Sequence, residues 1–243
     1  MLSVTLFFHI FCGNIRHGIC PCSVGVLMKK GAIFDMDGLL FDTETVYQRG
    51  WTIIADEFDV PRKPDLGKAC CGTTGDLTER LVHEYHPTVD AKAYIRRVIE
   101  YVHDETEKSL PVMEGVREIL AYFHEHGVRI ATASSSTVAQ IEKNLRQSGL
   151  RAYFDAVVGG DLVTHGKPAP DIFLMAAERI GVPPADCYVF EDGYNGLRGA
   201  AAAGCVPVMI PDTMPPTDEM RTLCTGIYSS LSDAMNAIQR GDL

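Results

Sequence analysis

The sequence predicts an α/β protein in which helices cover both faces of a parallel sheet and an all-helical cap domain is inserted into that core. Three observations predict it. Short apolar runs alternate with amphipathic stretches from Gly31 onward. Several of those stretches stop just before a glycine. One interval, 43–113, carries helical pattern with no convincing strand.

Taken in order, strands are expected at Ala32–Asp35, Val128–Thr132, Ala156–Val158, Cys187–Glu191 and Val206–Ile210. Helices are expected at Val116–His126 ahead of Gly127, Val138–Ser148 ahead of Gly149, Asp171–Ile180 ahead of Gly181, and Gly196–Ala203 ahead of Gly204. A glycine just past the last turn closes a helix in the left-handed conformation at no Cβ penalty. The interval from Thr43 to about Met113 contains helical pattern at Val46–Phe58, Leu77–Tyr85 and Ala91–Thr106. Inserted after the first strand, it would lie over the carboxyl end of the sheet, where open α/β folds bind ligands, and act as a lid. The expected division is a core of 28–42 and 114–243, a cap of 43–113, and a tail of 1–27. The tail opens on the apolar run Leu2–Cys12, which has neither the basic flank nor the cleavage site of a secretory signal and is too short to span a bilayer. Met28-Lys29-Lys30, directly before the first strand, reads as the natural start of the domain.

With 46% apolar and 22% charged residues in 243, the composition is that of an ordinary globular protein with a substantial core. Acidic residues outnumber basic ones 32 to 22, for a net charge of −10, and no Lys/Arg run offers a footprint for a polyanion. Neither nucleic acid nor a membrane is expected as a partner, and no heptad argues against a monomer. Eight cysteines, at 12, 20, 22, 70, 71, 187, 205 and 224, lack zinc spacing and are too sparse for a disulfide scaffold. They read as free thiols of a reducing, cytoplasmic protein, with adjacent Cys70 and Cys71 as packing residues.

Four clusters at the carboxyl ends of expected strands carry chemistry. Phe34-Asp35-Met36-Asp37-Gly38 ends an apolar strand in two carboxylates, and a turn eased by Gly38 would aim both into one pocket. Ile130–Ser136 runs an apolar strand into hydroxyl residues, which with nearby backbone N–H groups can hold a phosphoryl oxygen. Gly166-Lys167-Pro168 fixes a lysine ahead of a helix, and Tyr188–Gly196 ends a strand in Glu191 and Asp192, natural magnesium ligands. Each also has a plainer reading: an acidic turn, a serine N-cap, a solvated lysine, an acidic helix start. Together they supply a nucleophile, an acid/base, an oxygen-binding hydroxyl, a cation and metal ligands, which is what phosphoryl transfer requires.

On these residues the chain resembles the haloacid dehalogenase superfamily from about Met28 to Cys224. The likeness is to the members with a helical cap after the first strand, such as beta-phosphoglucomutase and the sugar-phosphate phosphatases. The resemblance implies a Rossmann-like core with an inserted helical cap, Asp35 as nucleophile and Asp37 as acid/base. It further implies Ser134 as the phosphoryl-binding hydroxyl, Lys167 as the bridging cation, and Mg²⁺ held by Asp35, the backbone of Asp37, Asp192 and Glu191. Expected substrate contacts are Thr43, Glu44, Tyr47, Thr73 and Thr74 in the cap and Ser135 and Ser136 in the core. The expected activity is Mg²⁺-dependent hydrolysis of a small phosphorylated metabolite, a sugar phosphate foremost, through an aspartyl-phosphate. Phosphosugar mutation is the alternative, and non-catalytic binding of a phosphorylated ligand is a minor one. Asp37 speaks against dehalogenation, since dehalogenases have no matching second aspartate. Tyr47 stands where the mutases carry a histidine, and Gly72-Thr73-Thr74-Gly75 lacks their arginine, so hydrolysis is preferred. Gly193 replaces the usual Ser or Thr after the acidic pair. Lys63, Lys68 and Lys92 match no Schiff-base context.

Overall fold

A computed structural model describes residues 28–71, 73 and 75–243; the expectations for the tail 1–27 and for Thr74 lie outside them. Six parallel strands form one sheet in the order β3-β2-β1-β4-β5-β6: β1 Gly31–Phe34, β2 Arg129–Ser134, β3 Ala156–Gly159, β4 Cys187–Glu191, β5 Val206–Met209 and β6 Gly226–Ile227. The first strand is central, hydrogen-bonded to β2 on one side and β4 on the other. The chain builds outward from β1 through β2 to β3, then returns to β4, so the order reverses between β1 and β4. Open sheets form their ligand crevice at such a reversal.

Near-continuous apolar runs make these strands because a parallel sheet is buried on both faces. Successive side chains alternate between two cores. Ala32, Phe34, Ile130, Tyr188, Phe190 and Val208 pack on one face, against α5 (Val116–Glu125), α6 (Val138–Gln147) and α10 (Leu231–Arg240). Ile33, Ala131, Ala133, Val158 and Val189 pack on the other, against α7 (Asp171–Ile180) and α8 (Tyr194–Ala202). Phe34 and Phe190 stack with centroids 4.8 Å apart, tying the two strands that carry the site. Gly127, Gly149, Gly181 and Gly204 adopt φ of 71°, 74°, 69° and 75°, the left-handed closures that their positions predict.

Between β1 and β2 lie α1 (Glu44–Glu57), α2 (Pro64–Cys70), α3 (Asp76–Tyr85) and α4 (Ala91–Lys108), with a hydrophobic cluster of their own that includes Trp51, Ile54, Leu66, Val82, Tyr94 and Val98. The Tyr94 hydroxyl donates to the Trp51 carbonyl at 2.7 Å, and Asp90 caps α4 by accepting from the N–H groups of Lys92 and Ala93. The fold is thus an α/β parallel-sheet core with an inserted helical cap. Elements beyond expectation are α2, α9 (Asp218–Leu223), β6 and α10. Strand β1 closes at Phe34, one residue short of expectation, which releases Asp35 into the loop. Among the described residues no helix is long and apolar enough to cross a membrane.

Candidate active site

The loop after β1 sets the first two carboxylates. The Asp35 N–H still donates to the Phe190 carbonyl at 3.1 Å, extending the ladder one step, and the chain then folds on itself. The N–H groups of Leu40 and Phe41 return to the Met36 carbonyl at 2.9 and 3.2 Å. Met36 is fully buried in the core between the two aspartates, so Asp35 and Asp37 both face the cavity. At the bend Gly38 has φ +79°, and a Cβ there would meet Asp192 Oδ2 at 2.7 Å; only glycine fits against the opposite strand's acid.

Strand β4 delivers Glu191 and Asp192 across the reversal point, and Lys167 reaches in from the loop before α7. Its ammonium donates to Asp35 Oδ1 at 2.5 Å and to Glu191 Oε1 at 2.6 Å, with side-chain exposures of 9%, 10% and 3% for the three groups. It also sits 5.4 Å from the Phe173 ring. Burial opposes the lysine's charge, but Asp35 and Glu191 outweigh it and hold the ammonium protonated above its usual range. The other Glu191 oxygen accepts from the Gly193 N–H at 3.1 Å. The solvated-lysine and acidic-cap readings both give way to this buried network.

Asp37 is held by two donors, Thr43 Oγ1 at 3.1 Å and Ser136 Oγ at 3.0 Å. Burial, and next the Asp35 charge, push its carboxyl up to about 6 against those hydrogen bonds. Ser134 ends β2, and its hydroxyl accepts from the Ser136 N–H at 3.1 Å; the cap of α6 is Thr137, so these serines are not helix caps.

Carboxylate oxygens of Asp35, Glu191 and Asp192 lie within 4.8 Å of one another. Burial foremost, then Glu191 and Asp35, raise the Asp192 carboxyl well above its usual value, and burial also pushes Glu191 up against the pull of Lys167. With Asp37 that makes four carboxyl groups against one ammonium. An all-oxygen, charge-deficient donor set of this kind fits a hard divalent cation.

A cavity of about 510 Å³ gathers Asp35, Asp37, Ser134, Ser135, Lys167, Glu191 and Asp192, with Glu44 and Thr73 from the cap. Tyr47 lines a second cavity, within the cap, and Thr43 and Ser136 serve Asp37 instead of lining either one. Cys71, read from sequence as packing, lines both cavities, with its sulfur 3.0 Å from Thr213 Oγ1 across the cap–core boundary. Tyr194, Asn195, Arg198 and Met214 also border the catalytic cavity beyond the expected residues; Tyr194 and Asn195 follow closely on the acidic pair, which was the available signal, while Arg198 lies further along α8. Lys63, Lys68 and Lys92 line neither cavity among the described residues.

Gly196, in the first turn of α8, leaves room for this network. A Cβ there would fall 1.7 Å from Glu191 Oε1. An exposed glycine in a helix gains about 1 kcal/mol of stability on becoming alanine. Here Gly196→Ala is expected instead to cost about 1–3 kcal/mol, as overpacked sites do, and to lower turnover by displacing Glu191 from Lys167. Thermal unfolding and a turnover assay check both signs.

A sheet that brings four carboxyl groups, a buried ammonium and strand-end hydroxyls to its reversal point, under a helical cap, defines a hydrolytic enzyme of the α/β class with an acidic, cation-ready centre. Comparison with known proteins places it more narrowly. The chain belongs to the haloacid dehalogenase-like hydrolases, matching that family over residues 29–204. It is 35% identical to fructose-1-phosphate phosphatase YqaB of Escherichia coli (strain K12) over 175 residues, covering 72% of this chain and 92% of that protein. It is 31% identical over 206 residues to hexitol phosphatase B of the same strain, covering 83% and 92%. Its fold superposes with a TM-score of 0.74 on a HAD family hydrolase from Deinococcus radiodurans R1 with bound phosphate and sodium, at 22% identity, covering 88% and 96%.

Proposed function

We propose that the protein hydrolyses the monoester of a small phosphorylated metabolite, a sugar phosphate foremost, through an aspartyl-phosphate on Asp35. The observation that carries this reading is the placement of Asp35 and Asp37 on one cavity wall. One is clamped by Lys167 at 2.5 Å; the other is tuned to about 6. A carboxylate nucleophile and a separate proton carrier are what a two-step displacement needs.

In the first step the Asp35 oxygen not held by Lys167 attacks phosphorus. The ester P–O bond breaks as Asp37 gives its proton to the departing alkoxide oxygen. In the second step Asp37, now a carboxylate, takes a proton from water; the water oxygen bonds to phosphorus, the Asp35–phosphorus bond breaks, and phosphate leaves with both carboxyl groups restored. Thr43 and Ser136 hold Asp37 in place through both steps. Ser134 and Lys167 face the phosphoryl oxygens and offset the charge there. Asp35 and Asp192 would hold Mg²⁺, with the backbone carbonyl of Asp37. Glu191, whose carboxylate belongs to the same oxygen cluster, would join them directly or through water, and it also orients Lys167. Bound there, the ion supplies positive charge that lets an anionic nucleophile approach an anionic ester. Among the described residues no histidine lines either cavity, which supports hydrolysis over return of the phosphoryl group to a sugar. The five described cysteines are free thiols, which supports a cytoplasmic setting.

Phosphate release from fructose 1-phosphate, a hexitol phosphate and an aryl phosphate tests the reading, with Mg²⁺ and with chelator. Release from at least one, lost in chelator and restored by added Mg²⁺, is expected. Conversion of a sugar 1-phosphate to its 6-phosphate without free phosphate would favour the mutase reading.

A further inference from the structure

The second cavity, of about 400 Å³, lies wholly within the cap and shares Glu44, Cys71 and Thr73 with the catalytic one. A leaving group attached to a phosphoryl at Asp35 has this space to extend into. Tyr47, Trp51, Ile95 and Ile99 supply apolar wall, and Thr73 and Thr78 supply hydroxyls that already bond each other at 2.9 Å. Its charged groups are both acidic. Glu44 accepts from Gln48 Nε2 at 2.7 Å, which leaves its charge uncompensated. Glu79 meets only the well-exposed Lys92, at 3.8 Å. No Lys, Arg or His lines this cavity among the described residues. Burial, then Asp37 and Glu44, push the Tyr47 phenol to about 12, so it stays a neutral donor.

An arginine does border the catalytic cavity, but it is engaged. Arg198 gives Nε and Nη2 to Glu219 at 2.7 and 2.6 Å and Nη1 to Asn195 at 3.0 Å. Lys167 is bound on the phosphoryl side. Among the described residues, then, the cap cavity is lined by two carboxylates and no cation.

We infer that the cap cavity selects the leaving group by charge. It admits an uncharged polyhydroxylated group and rejects one bearing a second phosphate, with Glu44 and Glu79 as the specificity-determining residues. This rests on the phosphatase reading above, in that the group measured is the alcohol part of a monoester. Each carboxylate is partly exposed, so solvent screens the repulsion, and an effect of about tenfold per pair of ligands is the scale to expect.

The test is calorimetric binding to the Asp35→Asn protein with Mg²⁺, which reports selection independently of turnover. Fructose 1-phosphate and fructose 1,6-bisphosphate differ only by the second phosphate. The bisphosphate is expected to bind at least about tenfold more weakly. Glu44→Gln combined with Glu79→Gln is expected to narrow that ratio at least about threefold, with most of the change in the bisphosphate. Mere size exclusion would leave the ratio unmoved by these isosteric changes and would overturn the assignment. Equal or tighter binding of the bisphosphate, or binding of neither ligand, would overturn it too. Wild-type protein that frees no phosphate from any ester, while Asp35→Asn still discriminates, would sink the phosphatase reading alone.

Discussion

Replacing Asp35 by asparagine is expected to lower kcat by about 10⁴-fold or more while leaving the fold intact. The amide has nearly the same shape, keeps an oxygen for the Lys167 ammonium, and sits in a loop whose conformation depends on backbone bonds from Leu40, Phe41 and Asp35 N–H. What it lacks is a charged oxygen able to bond phosphorus. Without that atom the two-step route is closed, and the remaining groups only position water against an ester. The check is steady-state phosphate release beside thermal unfolding: a large fall in kcat with a small change in Tm is the expected pair. A variant that kept a substantial part of its turnover would show that water, not Asp35, attacks the ester.

Lys167→Met is expected to be severe in both measurements. The ammonium is the only cation inside the carboxylate cluster among the described residues, and it bonds Asp35 and Glu191 simultaneously. Removing one partner of a buried ionic network leaves the others uncompensated, at a cost of about 3–5 kcal/mol. Methionine keeps the length and the contact with Phe173, so the loss reports charge and not volume. On the proposed route, Lys167 is one fixed positive group beside the phosphoryl, and its loss is expected to cost about 10²–10³-fold in kcat. Both effects should appear together, in unfolding and in turnover at saturating substrate. Undiminished stability would mean that the carboxylates are not charged against Lys167.

The parts of this molecule that were legible in the sequence are those whose signal is local. Buried parallel strands read as apolar runs, and left-handed glycines 127, 149, 181 and 204 marked where the helices between them stop. Asp35, Glu191 and Asp192 each stood at the end of such a run, so a shared strand edge was enough to bring them together, whereas Lys167 was marked by its place between Gly166 and Pro168 ahead of α7. Two of the missing elements had weak local signal, whereas α10, capped by Ser230 and closed by the left-handed Gly241, carried as much as the helices that were expected. Helix α2 is seven residues long and contains Gly67, whose Cβ would meet Gln48 Oε1 of α1; the glycine serves close helix packing, which no propensity records. The two-residue β6 is a strand only because Val208 and Met209 pair with it.

The same distinction holds within the site. Asp37 and Ser136 are 99 positions apart, and nothing in the run Ser134-Ser135-Ser136 says which hydroxyl turns to the aspartate. Thr43 was expected to touch substrate, yet it is nearly buried and occupied with Asp37. Glu79 carried no signal at all, because a glutamate in the first turn of a helix is ordinary. Its significance comes from the cavity that α3 closes against α1 and α4.

The central claim is that phosphorus becomes bonded to Asp35 during turnover. Mixing the Mg²⁺-loaded protein with its best ester, quenching in acid within the first turnovers, and mapping the digested peptides by mass tests it most directly. The account predicts one phosphoryl group on the peptide that contains Asp35, absent when Asp35→Asn protein is treated in the same way. Active turnover with that peptide unmodified at every quench time, or a phosphoryl group carried elsewhere on the chain, would contradict it.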